Sequence, residues 1–345
     1  MAFVKAPCKR RAAILGATGL VGRTILALLE ERGFPLDSLR LLASERLADR
    51  RLPFRGESLP VEPVSSHAFD GVEIALFATK NDISQKWAGA AREAGARVID
   101  NSSAFRYQPD VPLVVPEING ATLDDLPWLV ANPNCSTIAI VMALAPLQRA
   151  AGLERVAVAT YQSVSGAGAQ ALEELERGVR LGLDGQPPAR RDGGPPFAFN
   201  VVPHIDRFED NGYTREEMKI VWETRKILGL PELPVTATAV RVPVRVGHAA
   251  AVNVRLSRGI GPEEARALWR EFPGLEVVDD PAQARYPVPL AAAGRDPVLV
   301  GRARRDPSQE NGLEFFVASD NLRKGAALNA IQIAEALSHA EAGAS

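Results

Sequence analysis

The sequence has 345 residues, a formal net charge of −2 at pH 7, a hydrophobic fraction of 46% and a charged fraction of 24%. These values are ordinary for a globular chain of two domains or one large one, and they exclude binding to nucleic acid or an anionic membrane through an overall basic surface. With two cysteines, four histidines and no apolar run of membrane-spanning length, we expect no disulfide scaffold, no metal site, no membrane segment and a reducing compartment such as the cytoplasm.

The first 130 or so residues alternate short apolar runs with amphipathic segments. The apolar runs predict strands over Ala12–Leu15, Leu39–Ala43, Ile74–Ala78 and Arg97–Asp100. The amphipathic segments predict helices over Val21–Arg32 and Ile83–Ala94. Strands that alternate with helices in this way are typical of a parallel, doubly wound sheet.

Beyond residue 135 the pattern changes to longer strands with fewer helices between them. The sequence predicts an apolar helix over Ser136–Ala150, a long surface loop over Gly182–Pro196 and a final helix over Asn321–Ala340. Alternating segments predict strands over Arg155–Gln162, Thr236–Val246 and Ala249–Leu256. We therefore predict an α/β protein in which residues 1–133 and 321–345 form a Rossmann-like domain, and residues 134–320 form an α+β domain with a mixed sheet.

Glycine recurs at every third position between the first predicted strand and the first predicted helix, at Gly16, Gly19 and Gly22. This spacing is a variant of the dinucleotide-binding fingerprint, in which the backbone approaches a pyrophosphate and the helix N-terminus supplies N–H groups and partial positive charge. A strand-to-helix turn that binds no ligand is the alternative. The cofactor contacts predicted from this loop are Gly16, Thr18, Gly19, Leu20, Val21 and Gly22.

The second predicted strand is followed by Ser44, Glu45 and Arg46. A hydroxyl and a guanidinium suit the 2′-phosphate of NADP, whereas an acidic residue suits the ribose hydroxyl of NAD. Ser44 and Arg46 thus favour NADP(H), Glu45 keeps NAD open, and a solvated loop without a ligand remains the plain alternative.

Cys135 precedes the apolar helix, so it lies where the helix N-terminus favours thiolate over thiol. A thiol with a pKa of about 8.5 is mostly protonated at pH 7, and a fall of about two units would make most of it a nucleophilic thiolate. A small buried hydrophobic residue is the alternative interpretation. Cys8 lies in a basic N-terminal segment and is not expected to react.

Seven further motifs follow the glycine loop: NSSAFR from Asn101, VPEIN from Val115, NPNC from Asn132, YQSVSGAG from Tyr161, EEMK from Glu216, VRVPVRVGH from Val240 and DNLRKGAA from Asp320. In this order the motifs resemble those of the aspartate-semialdehyde dehydrogenase family. The resemblance covers about residues 11–340.

This resemblance implies the reversible, NADPH-dependent reductive dephosphorylation of L-aspartyl 4-phosphate to L-aspartate 4-semialdehyde through a cysteine thioester. It implies that Cys135 is the nucleophile, that His248 is the general acid/base and that Gln162 orients the site. The remaining roles that it implies are substrate carboxylate binding by Arg241, amino-group binding by Glu216, phosphate binding by Arg106 and Lys219, a further substrate contact by Asn134, and cofactor contacts by Ser165, Gly166 and Asn321.

The residue types suit these roles. A thiolate is both a strong nucleophile and a good leaving group, and an imidazole can give and take a proton near neutral pH. The planar guanidinium of Arg241 matches a carboxylate, and it interrupts an apolar strand, where an unpartnered charge would be costly. Glu216 and Lys219 are three residues apart, so on a helix they share a face.

Two departures from the family pattern are visible. Ala249 and Ala250 follow His248 where the family commonly has serine and an acid, and the three residues after Arg46 are Leu-Ala-Asp where Ser-Ala-Gly is usual. The family also implies a homodimer, with a homotetramer left open. An acyl-phosphate reductase for another substrate, such as N-acetylglutamyl phosphate, and a catalytically silent dinucleotide-binding homologue are the alternatives.

Overall fold

The computed structural model describes residues 9–190 and 192–344, and the chain divides into two compact units. The first unit runs up to Pro133 and resumes at Ala326, and the second unit is Asn134–Gly325. Cys8 lies outside the described residues.

Within the described residues, the first unit contains a seven-stranded sheet in the order β3-β4-β2-β1-β5-β6-β7. Its strands are β1 Arg10–Leu15, β2 Leu36–Ala43, β3 Arg51–Phe54, β4 Glu57–Pro63, β5 Ile74–Phe77, β6 Arg97–Asp100 and β7 Leu129–Ala131. All neighbours pair in parallel except β3 with β4. The order reverses at β1, between β2 and β5, and this switch point is where doubly wound sheets bind ligands. The predicted Rossmann-like fold is confirmed.

The helices of the first unit are α1 Leu20–Glu31, α2 Asn81–Glu93, α3 Pro116–Asn119 and α9 Leu328–Ala344. Side chains of α1 and α9 share one apolar core with the sheet. A bidentate ion pair joins Arg32 to Glu335 at 2.9 and 2.8 Å, and Arg97 binds Glu341 at 2.5 Å. The C-terminal helix therefore completes this unit although it is distant in sequence.

The second unit contains, in its described part, a six-stranded mixed sheet in the order β11-β12-β13-β10-β8-β9. The strands are β8 Leu153–Gln162, β9 Val235–Arg241, β10 His248–Leu256, β11 Leu275–Val277, β12 Val298–Arg305 and β13 Gly312–Ser319. β8 and β9 are parallel, and β10 is antiparallel to both β8 and β13. The predicted mixed sheet is thereby confirmed.

The helices of the second unit are α4 Cys135–Ala151, α5 Ala169–Leu183, α6 Arg215–Leu228, α7 Pro262–Glu271 and α8 Pro289–Ala292. α4 is buried over most of its length and packs against α6, α7 and β10. α6 begins with a capping box between Thr214 and Glu217, and Glu217 Oε1 also accepts a hydrogen bond of 2.9 Å from the Ala239 amide. The box and this bond fix α6 against β9.

Two predicted elements were wrong at one end. The strand predicted over Thr236–Val246 ends at Arg241, because Pro243 has no N–H for the ladder and the chain turns there, with the Val244 amide bonded to Val242 O at 2.8 Å. The helix predicted over Asn321–Ala340 starts only after a π-helical turn over Arg323–Ala327.

Candidate active site

Cys135 is the first residue of α4, and Asn134 caps that helix. Asn134 Oδ1 accepts hydrogen bonds from the amides of Ser136 at 2.9 Å and Thr137 at 3.2 Å. The backbone N–H of Asn134 donates to the buried Glu223 carboxylate at 2.6 Å. Cys135 is partly exposed, so its sulfur combines access with the positive end of a 17-residue helix, the environment that favours a reactive thiolate.

The Glu216 carboxylate on α6 accepts hydrogen bonds from three side chains, one of which lies on α6 itself. Its Oε1 accepts from Asn134 Nδ2 at 2.8 Å and from Gln162 Nε2 at 3.1 Å, and its Oε2 accepts from Lys219 Nζ at 3.0 Å. Burial by itself would raise the pKa of Glu216, but the Lys219 charge and these hydrogen bonds lower it to about 2. Glu216 is therefore a fixed anion at neutral pH.

Lys219 also donates to the Asp206 carboxylate at 2.7 Å. Burial favours its neutral form, but the charges of Glu216 and Asp206 outweigh burial and raise its pKa. The ammonium is therefore held between two acids, and it has three N–H donors with which to do so.

Arg241 ends β9, directly opposite Gln162 in the ladder with β8. Its Nη1 donates to the Ser163 carbonyl at 2.6 Å. Burial lowers the pKa of the guanidinium, and the negative charges of Glu216 and of the Cys135 thiolate act against this shift. The Arg241 charge thus interacts with both the Glu216 carboxylate and the Cys135 sulfur. Arg241 remains charged because a guanidinium does not deprotonate in proteins.

His248 begins β10 and is 2% exposed. Its Nδ1 lies 3.0 Å from both the Ser163 amide nitrogen and the Ser163 hydroxyl, and its Nε2 is buried with no hydrogen-bond partner among the described residues. Burial, followed by the nearby Arg241 charge, lowers its pKa to about 3, and the Glu216 charge and a backbone hydrogen bond with Gly247 only partly offset them. The imidazole is therefore neutral at pH 7.

Gly166 packs directly on this pair. A Cβ at position 166 would lie 3.0 Å from both Arg241 Nη1 and His248 Nε2, which is closer than most real Cβ contacts. The glycine therefore lets the backbone approach both groups.

Asn321 and Ser165 lie behind His248. Asn321 Oδ1 accepts from the hydroxyls of Ser163 at 3.1 Å and Ser165 at 3.2 Å and from the Gly247 amide at 2.9 Å, while Asn321 Nδ2 lies 2.9 Å from Ser165 Oγ. Asn321 therefore ties together the loops that follow β8, precede β10 and follow β13.

The glycine loop of the first unit joins β1 to α1. Gly16 has φ of +89°, and a Cβ there would collide with the Ala78 carbonyl, so the turn requires glycine. Gly19 is the N-cap of α1 and provides no side-chain cap, so the first-turn N–H groups are available to an anion. Thr18, Leu20, Val21 and Gly22 belong to the same turn and helix start. This cradle at the sheet's switch point fits a dinucleotide pyrophosphate.

The other predicted residues of the first unit lie after strand ends. Ser44 and Arg46 are exposed beside Glu45 in the turn after β2. Arg106 is 5% exposed in the loop after β6 and donates to the Asn101 carbonyl at 2.7 Å. In the described residues, no cluster of His, Cys, Asp or Glu is suited to a metal ion, and no helix is long and apolar enough to cross a membrane.

Within the second unit, hydrogen bonds, close approaches and charge interactions connect the predicted residues Asn134, Cys135, Gln162, Ser165, Gly166, Glu216, Lys219, Arg241, His248 and Asn321. Sequence reasoning missed Ser163, Glu223 and Asp206, which contact members of this group. It also missed Gly325, where a Cβ would lie 3.1 Å from Cys135 Cβ. Ser163 could have been suspected because it directly follows Gln162 at a strand end, but the polar partners on α6 and its preceding loop carry no comparable signal.

Comparison with known proteins identifies the family. A family model described as "Semialdehyde dehydrogenase, NAD binding domain" matches residues 11–126, and one described as "Semialdehyde dehydrogenase, dimerisation domain" matches residues 144–324. The aspartate-semialdehyde dehydrogenase of Aquifex aeolicus is 48% identical over 95% of this chain and 97% of its own.

Solved structures agree with this comparison. The crystal structure of aspartate semialdehyde dehydrogenase II from Vibrio cholerae, complexed with ASA, is 46% identical, covers 96% of this chain and 99% of its own, and has a TM-score of 0.93. The structure of the Candida albicans enzyme with NADP is 25% identical, covers 97% and 99%, and has a TM-score of 0.76. From the glycine cradle, the thiol at a helix N-terminus and these matches along nearly the whole chain, it follows that the protein belongs to the aspartate-semialdehyde dehydrogenase family of oxidoreductases, which bind a nicotinamide dinucleotide.

Proposed function

We propose that this enzyme converts L-aspartyl 4-phosphate to L-aspartate 4-semialdehyde and phosphate, reversibly, with Cys135 as the nucleophile. The observation that carries the proposal is the position of Cys135, which is partly exposed at the N-terminus of α4 and subject to the Arg241 charge. The helix terminus and the guanidinium both stabilise a thiolate.

Glu216 and Arg241 would recognise a free amino acid. The Glu216 carboxylate stays ionised because its pKa is about 2, so it can pair with an ammonium group, and the Arg241 fork can pair with the α-carboxylate. An N-acetylated substrate has no ammonium group to offer this carboxylate, which argues against N-acetylglutamyl phosphate. Asn134 and Gln162 hold the Glu216 carboxylate in place.

In the proposed reaction, the sulfur of Cys135 attacks the acyl carbon, the carbon–sulfur bond forms, and phosphate leaves with the electron pair of the broken carbon–oxygen bond. Lys219 and Arg106 are the cations proposed for phosphate. NADPH, when bound, supplies the hydride that reduces the resulting thioester. The thiolate of Cys135 then leaves as the aldehyde forms, and His248 acts as the general acid/base at the reacting oxygen.

The cofactor proposed is NADP(H). Gly16, Thr18, Gly19, Leu20, Val21 and Gly22 would hold its pyrophosphate, Ser44 and Arg46 its 2′-phosphate, and Ser165, Gly166 and Asn321 would lie near the nicotinamide. Ser44 and Arg46 are both exposed after β2, which leaves them accessible to a phosphate. Comparison of kcat/KM for NADP and NAD tests this preference. A reducing compartment such as the cytoplasm would keep the Cys135 thiol reduced, and we propose that the enzyme works there.

We also propose a homodimer formed through the open face of the mixed sheet. Along β8 and β10, buried residues alternate with half-exposed ones such as Ala157, Ala159 and Ala251. The buried side packs on helices α4, α6 and α7, and the other side presents small residues and the 39%-exposed Tyr161. A second copy would cover this face, in keeping with the matched dimerisation domain.

The test is NADP reduction by aspartate semialdehyde with and without phosphate. We expect phosphate-dependent activity that Cys135→Ala lowers by roughly 10⁴-fold or more, since nucleophile removal has effects of this size. Cys8→Ala is the matched control and should keep wild-type activity. Activity that ignores phosphate, or that survives Cys135→Ala, would contradict the acyl-transfer mechanism.

A further inference from the structure

The nitrogen of His248 that carries its proton is fixed by a backbone group. The Ser163 amide points at His248 Nδ1 over 3.0 Å, and a backbone N–H can only donate. Nδ1 must therefore be the unprotonated nitrogen. A neutral imidazole has one proton, so that proton lies on Nε2.

The Ser163 side chain anchors the residue that carries this amide. Its hydroxyl donates to Asn321 Oδ1 over 3.1 Å and lies 3.0 Å from His248 Nδ1. Asn321 Oδ1 is itself anchored by the Gly247 amide, which adjoins His248 in the chain. Ser163 and Asn321 thus hold the ring from behind, on the side away from Nε2.

The Nε2 side of the ring lacks an acceptor. Nε2 is buried and has no hydrogen-bond partner in the part of the chain that the structure describes. The neighbouring groups from other elements are Gly166, the Arg241 guanidinium from β9 and, through its charge, Glu216 from α6. Two donors, Nε2–H and Arg241, therefore lie side by side. A buried donor without a partner is costly, so an oxygen acceptor from a bound ligand is the natural partner.

We propose that Ser163 and Asn321 are positioning residues that hold His248 as the Nε2–H tautomer, so that His248 donates a hydrogen bond to the reacting substrate oxygen and does not remove the thiol proton of Cys135. This inference rests on the proposed function and assigns the order of events within it. The Cys135 thiolate then arises from the helix N-terminus and Arg241, before substrate binds.

The attack of the Cys135 thiolate on the acyl carbon can be balanced while His248 keeps its Nε2 proton. The thiolate pair forms the carbon–sulfur bond, and the carbonyl π pair moves to the oxygen, which accepts the hydrogen bond from Nε2–H. When that pair returns to reform the carbonyl, the carbon–oxygen bond to phosphate breaks and the leaving phosphate takes its proton from solvent. No base is needed, and a preorganised donor aimed at the oxygen stabilises the charge that develops there.

Thiolate titration separates this role from that of a base for Cys135. The rate of Cys135 alkylation by iodoacetamide would be measured against pH in the Cys8→Ala background, with and without His248→Gln. We expect the alkylation rate of Cys135 to rise with pH at a midpoint well below the ordinary thiol pKa of about 8.5. The midpoint should be the same in both proteins, while His248→Gln lowers kcat by at least about tenfold. A midpoint that rises by about one unit or more in His248→Gln would overturn the inference, although Cys135 would still be the nucleophile of the proposed function. An ordinary thiol midpoint in both proteins would overturn both.

Nitrogen-15 NMR reads the tautomer directly. The His248 signals, assigned by their loss in His248→Gln, should show an unprotonated Nδ1 and a protonated Nε2 at pH 7. Ser163→Ala keeps the backbone amide and should leave the His248 tautomer unchanged, whereas Ser163→Pro, which removes the N–H and suits the φ of −64° at this position, should populate the second tautomer and lower kcat by about tenfold, as expected for one lost hydrogen bond. Ser319→Ala is the matched control, because Ser319 pairs with His248 in the β10–β13 ladder and its buried hydroxyl has no hydrogen-bond partner among the described residues. It should leave the His248 signals unchanged, whereas a protonated Nδ1 in the wild type would contradict the proposal.

Discussion

His248 links the chemistry of the site to acid stability. Its pKa is about 3 in the folded protein and near 6.5 when unfolded, because burial and Arg241 disfavour the imidazolium. Between these values the unfolded chain binds the extra proton, so the folding stability due to this residue is complete above pH 6.5 and is lost as pH falls toward 3.

We expect His248→Gln to reduce the pH dependence of the free energy of unfolding. Between pH 6 and 5 the wild type should lose up to about 1.4 kcal/mol more per pH unit than the variant, which is the effect of one proton. Urea unfolding curves at pH 7, 6 and 5 measure this difference. Equal slopes for the two proteins would mean that His248 is accessible to protons in the folded state.

Gly166 allows the backbone to approach the Arg241 guanidinium and the His248 imidazole closely. Gly166→Ala would place a methyl group 3.0 Å from Arg241 Nη1 and His248 Nε2, and even small displacements of catalytic groups are costly to rate. We expect kcat/KM to fall by at least about tenfold with little change in thermal stability. Gly89→Ala on α2 is the control, because open space surrounds that position; it should stabilise the protein by up to about 1 kcal/mol and leave kcat/KM unchanged.

At the scale of single residues, the sequence predicted the groups whose chemistry is unusual for their surroundings. Cys135 at a helix start and Arg241 in an apolar strand are visible as anomalies in a linear sequence. Ser163 is marked only by its place after Gln162 at a strand end, because its function depends on its backbone amide, and a backbone amide is the same in every non-proline residue. Ala249 and Ala250, which follow His248, have no polar side chain, and in the structure it is Ser163 that contacts the ring.

At the scale of elements, Asn134 couples the start of α4 to α6. Its oxygen caps the helix and its amide group donates to Glu216. Asn134→Ala should lower the free energy of unfolding by about 1 kcal/mol more than Asn134→Ser, because both variants lose the bond to Glu216 but only serine keeps a capping oxygen.

Both Asn134 variants should raise KM for aspartate semialdehyde, because alanine has no donor and the serine hydroxyl ends one bond short of the Nδ2 that donates to the Glu216 carboxylate. Urea unfolding and steady-state kinetics would separate the two functions of Asn134. A serine variant with wild-type KM would show that the bond to Glu216 does not matter for substrate binding.

The predicted element boundaries agreed with the structure where apolar periodicity was continuous. They were wrong where local backbone hydrogen bonding determined the boundary. The strand predicted over Arg97–Asp100 has those bounds in the structure. The final helix is capped close to its predicted start, because Asp320 Oδ1 accepts from the amides of Leu322 and Arg323 at 2.8 and 3.0 Å, as a helix N-cap does. Its first turn over Arg323–Ala327 is π-helical and α9 begins only at Leu328, and apolar spacing does not detect this change of hydrogen-bond pattern.

At the scale of the whole molecule, the sequence predicted the two sheet types but not the order of their strands. Alternation of strands and helices favoured a parallel sheet, yet the position of β1 between β2 and β5 depends on pairings between distant segments. The same holds for α9, whose amphipathic pattern does not show that Glu335 and Glu341 pair with Arg32 and Arg97. Local sequence patterns therefore do not predict which distant segments pair with each other.

The open face of the mixed sheet gives a prediction about assembly. Ala251 is half-exposed on β10 and lies opposite Ala159 on β8 and Phe316 on β13. Ala251→Arg would place a cation in each subunit's contribution to the proposed interface, and an unpaired buried charge costs several kcal/mol. We expect the dimer dissociation constant to rise by at least about a hundredfold, corresponding to about 2.7 kcal/mol, as measured by sedimentation velocity over a range of concentrations. Ala121→Arg, at an exposed position in the first unit, is the matched control and should leave the dimer intact. If Ala251→Arg sediments like the wild type, a different surface forms the dimer.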